Sequence, residues 1–326
     1  MASGLFSRLL KHARRPSPPE SELVREAMER AVQRVEPRLR QSGDYPRRYR
    51  RPVTRALDYV QDLARAIPGP VEMSPELYGR DPFIHALFGS PEQMQHALCM
   101  SHAMHEYARR PGGPGTEVYA LMGMRRREKT AFGMETAGEV ICREVAQRVV
   151  YFTDHTLSGP APTEAEARRL LTWNLYDSLV ERVVERLAAR QRARQELQKE
   201  KDYLSAQLRS TEADRRPALQ QRLDALLADL ARAHADLDLR HLAEDFEDVF
   251  LNPERHLSLE RVTLRLDGMG VLRADEADAN THALDFTDLH GRDRRRWTVV
   301  MVRCHPRPEL LDMADRLHQA GRWLQL

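Results

Sequence analysis

The chain has 326 residues, 31% of them charged and only 6% aromatic, with 51 Lys and Arg against 49 Asp and Glu. That composition fits a helix-rich protein with much solvated surface, long enough for two domains. Three widely spaced cysteines (Cys99, Cys142, Cys304) exclude a disulfide-stapled scaffold. No run of roughly 18 apolar residues is present to form a membrane-spanning helix. Free thiols of this kind belong in a reducing compartment, so a cytoplasmic location is expected.

Basic residues crowd the front of the chain: residues 1–60 hold 14 Lys and Arg against 7 Asp and Glu. Within residues 1–19, the stretch ASGLFSRLLKHARR (residues 2–15) has Leu5, Phe6, Leu9 and Leu10 on one apolar face, with Arg8 and Lys11 flanking it. This pattern predicts a short amphipathic helix followed by a stiff Pro16–Pro19 spacer. Such a segment tethers a protein in one of two ways. It lies in an anionic membrane interface, at the inner surface for a cytoplasmic protein, or it docks in a groove on a partner protein. The plain alternative is a mobile tail.

Residues 20–110 read as helical. Leu23, Ala27, Ala31, Val35 and Leu39 recur every four residues, with Pro37 expected to kink or end that helix. The next stretch, DYPRRYRRP, interleaves Tyr45 and Tyr49 with Arg47, Arg48, Arg50 and Arg51. Arginines clamp phosphates and tyrosines stack bases, so this segment is the candidate nucleic-acid contact. Lying between two prolines, it also reads as a solvated loop. Farther on, Pro91–Tyr107 is expected as one helix carrying Cys99, His102 and Glu106 at i, i+3, i+7, a weak candidate set for a metal ion. It lacks the HExxH spacing of a zinc protease, and Met94, Met100 and Met104 point instead to packing.

Pro111–Gly115 punctuates the chain. Residues 116–160 then read as a three-stranded meander, with Arg125–Lys129 as a charged turn. Asp154 and His155 follow as an acid–base pair with no nucleophile beside it.

Residues 163–250 are the most ordered pattern in the chain. Thr163 and Glu166 form a capping box. Leu171, Leu175, Leu179, Val183 and Leu187 set a stripe that continues thinly through Leu197, Leu204 and Leu208, with Arg194 and Lys201 also in the seam. A polar tip, Ser210–Arg216, is followed by Leu219, Leu223, Leu226, Leu230, Ala233 and Leu237 at heptad steps. The expected result is a long antiparallel coiled-coil hairpin, roughly 45 Å at 1.5 Å per residue. The rival is a parallel homo-oligomer built on the same seam. Beyond it, His241, Asp245 and Asp248 share a helix face as a second weak cation candidate.

Strands are then expected at 257–266, 282–289 and 297–302, and an amphipathic closing helix from Pro306 to Leu324. The fold class expected is α+β and predominantly helical: residues 116–160 and 255–326 meet in one mixed head, with the hairpin inserted between them. No cofactor fingerprint and no catalytic set emerges. The reading that follows is a non-catalytic cytoplasmic adaptor or scaffold whose hairpin contacts a protein partner and whose first residues tether it. Nucleic-acid binding through residues 45–51 is the first alternative, and a metal-dependent enzyme at residues 96–106 the second.

Overall fold

The computed structural model describes residues 18–41, 45–111, 113, 115–137, 140–210, 212, 215–235, 237–273, 280–291 and 296–306. The expected N-terminal amphipathic helix and the expected closing helix lie outside these residues. The fold is α+β, with long helices and an antiparallel sheet. The chain divides into two compact units, residues 1–58 with 179–253 and residues 59–178 with 254–326.

The first unit is helical. Helix α1 (Pro18–Val35) stops at the residue preceding Glu36 and Pro37, where a 3-10 turn, Pro37–Gln41, takes over. The residue before a proline is pushed out of helical geometry, which ends the helix there. Ala27, Ala31, Val32, Val35 and Leu39 are all buried. Helix α2 (Arg47–Ala66) contributes Tyr49, Val53, Ala56 and Leu57 to the buried set of this unit. Helix α7 (Glu164–Ser210) contributes Leu179, Val180 and Val183.

Helix α8 (Arg216–Ala235) follows, and α9 (Leu239–Leu251) is capped by Asp238, whose carboxylate accepts the Leu239 N–H at 2.8 Å. On α9 Leu242, Phe246, Val249 and Phe250 fall at i, i+4, i+7, i+8 and are buried. Phe246 stacks on Phe250 (centroids 4.2 Å apart) and takes the edge of the Tyr49 ring (5.0 Å).

Past Val183, α7 buries one large apolar side chain completely, Leu204. Arg194, Leu197, Lys201 and Leu208 are half-buried, while the positions between them are mostly exposed. On α8, Leu226 and Leu230 are buried and Leu219, Leu223 and Ala233 half-buried. Arg222 of α8 pairs with Glu200 of α7 at 3.2 Å, and Arg186 of α7 with Asp248 of α9 at 2.9 Å.

The second unit holds one six-stranded sheet. Its strands are β1 (Val71–Met73), β2 (Val118–Ala137), β3 (Val140–Ala161), β4 (Ser258–Leu266), β5 (His282–His290) and β6 (Arg296–Cys304). The order is β3-β2-β6-β5-β4, with β1 added parallel to β6. Residues 257–266, 282–289 and 297–302, read as strands, fall in β4, β5 and β6.

The expected three-stranded meander is instead one long hairpin. Arg125 to Lys129, read as a turn, is continuous strand paired with Thr153 to Val149. The apolar burial in this stretch is carried by Val150 and Phe152 of β3, while Arg127, Glu128 and Lys129 of β2 are exposed in succession, so β2 shows no alternation there. Extra residues on β3 shift the register opposite Gly123–Arg125 and Tyr119–Leu121; Asp154 (φ 55°) and Gly159 (φ 61°) take left-handed backbone there. Past Met124, β2 has left β6, and Phe132 and Met134 are 76% and 67% exposed.

Between Met73 and β2 lie four short helices: α3 (Pro75–Tyr78), α4 (Pro82–Leu87), α5 (Pro91–Cys99) and α6 (His102–Ala108). Ser74, Asp81, Ser90 and Ser101 cap them in turn. Their apolar side chains form one core with the sheet, including Ile84, Phe88, Met94, Met104, Met122, Phe152, Phe286 and Val302.

The two ends of the strand order meet through Gly270–Leu272. The Val150 N–H donates to Gly270 O and the Leu272 N–H to Arg148 O, both at 2.8 Å, while Leu272 also bridges back to Leu266 of β4. Gly270 has φ +76°, and a Cβ there would lie 2.7 Å from Val150 O. Gly270→Ala is therefore expected to lower unfolding free energy by about 1–3 kcal/mol in denaturant titration, by backbone strain and loss of this closure.

His155 of β3 stacks on Phe88 (centroids 4.7 Å apart), and its Nε2 lies 2.8 Å from Leu87 O. Burial pushes its pKa below the usual 6.5, outweighing the Leu87 hydrogen bond and Asp154, which act upward. The unfolded chain then binds the proton more readily than the folded one. Stability is full above the unfolded value and falls as pH drops below it, so the denaturation midpoint should decline between about pH 7 and pH 5. His155→Gln should flatten that decline.

Candidate interaction surface

The Arg/Tyr segment read as a loop is the start of α2. Its residues separate by helical spacing into two groups. Arg48 is half-buried and pairs with Glu247 of α9. Tyr49 is fully buried against Phe246, so it offers no face to a stacked base. Just before the helix, the Tyr45 hydroxyl donates to Glu29, whose other partner is Arg40 at 3.0 Å. Burial and that hydrogen bond push the Tyr45 hydroxyl up to about 12, and the same bond holds Glu29 below its usual value.

The remaining arginines share the opposite face. Arg47, Arg50 and Arg51 are exposed, and Arg55, one turn further on, joins them. With Thr54 and Asp58 they line one shallow depression. Positions 47, 50, 51, 54, 55 and 58 are a continuous i, i+3, i+4, i+7 ladder. Arg47, Arg50 and Arg51 make no ion pair among the described residues. Arg55 escaped the sequence reading although the steps 47, 51 and 55 are the signal for it. The proline at 52 hid them by suggesting a loop. Pro52 in fact sits inside the helix, where it forgoes only the bond to the Arg48 carbonyl.

The expected single helix over Pro91–Tyr107 is two. Ser101 adopts extended backbone (ψ 142°), and its hydroxyl accepts the Met104 N–H, which starts α6 afresh. Cys99 therefore ends α5, buried in the core, while His102 and Glu106 begin a different helix. Their side chains are 72% and 64% exposed and 3.8 Å apart at closest approach. The i, i+3, i+7 face on which the metal reading depended does not exist. Among the described residues no group of three or more His, Cys, Asp or Glu is placed to hold a metal ion. Burial, with neighbouring Cys99 second, pushes the Cys304 thiol up to about 12, far from a nucleophile's range.

The other polar pairs are engaged structurally. Asp245 and Asp248 face Arg186, and Arg190 also reaches Asp245. His241 Nδ1 lies 3.0 Å from Ala235 O. Asp154 faces Arg125 and Arg127, while His155 is held by Leu87. The apolar face of Leu5, Phe6, Leu9 and Leu10, with Arg8 and Lys11, lies outside the described residues.

Comparison with protein families, with characterised proteins and with solved structures yields no match to this chain.

Proposed function

We propose that this protein is a non-catalytic adaptor whose protein-binding element is an antiparallel coiled-coil hairpin made from the distal part of α7 and from α8. The observation carrying this reading is the burial pattern: the heptad positions on both helices are covered, and most of the other positions are exposed. The Glu200–Arg222 ion pair ties a late residue of α7 to an early residue of α8, as antiparallel passage requires. Tyr203 (66% exposed) and Leu227 (46%) are large side chains left uncovered by the described residues, and they suit a partner's apolar contact. The pattern of residues 2–15 suits a tether for such a protein.

Two variants test this. In the first, Glu200→Cys with Arg222→Cys is expected to be bridged within one chain by a short bis-maleimide; a dimer linked between chains would point to a parallel oligomer and remove the hairpin. In the second, residues 196–230 are replaced by a short turn. The expected outcome is unchanged folding with loss of the proteins co-purifying with the full chain. An unchanged set of partners would reject the role of the hairpin.

The arginine face of α2 favours a second reading, contact with the phosphates of a nucleic acid. Arg47, Arg50 and Arg51 present a row of charge that meets no carboxylate among the described residues, and Arg55 extends the row by one turn. Oligonucleotide anisotropy should then show binding that falls by orders of magnitude between about 50 and 200 mM salt, and that Arg47→Glu with Arg51→Glu abolishes. Binding that ignores salt, or its absence from the parent protein, would reject it.

A further inference from the structure

The second unit contains a cavity of about 1200 Å³, bounded by α3 and α4 on one side and by β3 and the β4–β5 region on the other. Clefts that hold drug-sized ligands measure roughly 300–1,000 Å³, so there is room here for an extended apolar chain and a head group. Its floor is apolar, with Phe88, Val150, Phe152, Leu266 and Leu284 among the lining residues. At its rim Met269 is 82% exposed, an apolar side chain left in water at the mouth of an apolar cavity.

The charges around it are unequal. Both lining carboxylates are engaged in holding the backbone. Asp81 caps α4, accepting from Phe83 N at 2.8 Å and Ile84 N at 3.4 Å. Asp267 accepts from Met269 N and Val271 N, both at 2.9 Å, and pairs with Arg273 at 2.9 Å. The lining cations Arg80 and Lys129 have no such engagement. Neither forms an ion pair among the described residues, and Lys129 lies over the Tyr151 ring at 5.4 Å. His85 and His282 add two further nitrogen-bearing rings to the lining. An apolar floor beneath uncompensated positive charge is complementary to a molecule with an apolar body and an anionic head.

We propose that this cavity binds an acyl-chain amphiphile with a carboxylate or phosphate head, its chain along the Phe152–Leu284 floor and over Met269, its head at Arg80 and Lys129. The site belongs to the second unit alone and stands or falls apart from the adaptor reading. Calorimetric titration of the full chain with dodecanoate, below its micelle concentration, tests it. The expected result is saturable binding of one molecule per chain. Arg80→Glu with Lys129→Glu should weaken it about tenfold or more, since the reversal removes both cations from the head group and puts like charge in their place. Met269→Glu, an exposed position safe for folding, should weaken it as well. Lysophosphatidic acid binding more tightly than dodecanoate identifies a phosphate head, and the reverse a carboxylate; either order supports the site. No saturable binding of either probe overturns the proposal. So does an affinity unchanged by the Arg80/Lys129 reversal, or a neutral monoacylglycerol bound as tightly as the acid.

Discussion

The second unit depends on strand β6. Its run WTVVMV is apolar at successive positions, so both faces must be covered and every backbone group on both edges must find a partner. Thr298 to Val302 are buried, and most of both edges is paired. One edge pairs with β2 from Thr298 to Cys304. The other is shared: β5 takes its first residues, Asp288 to His290 facing Thr298 to Arg296, and β1 takes its last, Val302 to Cys304. Between them the Met301 N–H donates to Pro68 O at 2.8 Å. Gly69 follows with φ +105°, in a place where a Cβ would stand 2.2 Å from Met301 O, so only glycine permits that approach. Arg168 of α7 fixes the same turn by donating to the carbonyls of Ala64, Ile67 and Gly69.

Where β6 begins, three strands are joined by charge rather than by apolar packing. Asp288 of β5 is fully buried; it accepts from Thr298 of β6 at 2.7 Å and lies 3.0 Å from the guanidinium of Arg126 on β2. Arg126 is only 5% exposed, and its Nε and Nη1 are buried without a hydrogen bond among the described residues. Removing both ions from water costs several kcal/mol each, roughly what their mutual attraction returns. What the pair contributes is alignment. It ties β2 to β5 across Thr298, the β6 residue that pairs with both strands.

How much of this was legible in the chain depended on whether one face or one helix side met water. The alternation of SLERVTLRL and the continuous run WTVVMV announced β4 and β6 because burial imposed a period on them. The leucines of α8 announced themselves in the same way. The β2–β3 hairpin did not, because on β2 the buried position at 126 is filled by an arginine and its neighbours are exposed charges, so Arg125–Lys129 resembles a turn. Nor did the break at Ser101, a cap decided by one hydroxyl against a helical pattern that runs straight through it. At the start of α2 the arginines were visible, but their separation into Arg48, which faces Glu247, and Arg47, Arg50, Arg51 and Arg55, which face water, needed the helix to be known. The unspent cations at the cavity were invisible. Arg80 and Lys129 lie 49 positions apart in the chain and share a lining only through the fold.

The long hairpin has one more consequence. From Ala131 to Met134 no residue of β2 belongs to the core, and their partners on β3, starting at Gln147, lie past the Gly270–Leu272 contact, so nothing among the described residues fixes how many residues the ribbon contains. Its length is free, but its parity is not. Adding or deleting one residue per strand between Thr130 and Phe132 would turn Phe132 and Met134 to the opposite face, whereas a change of two would leave them where they are. Natural variation in this ribbon should therefore come in even steps, and the face bearing Phe132 and Met134 is the quantity such steps preserve.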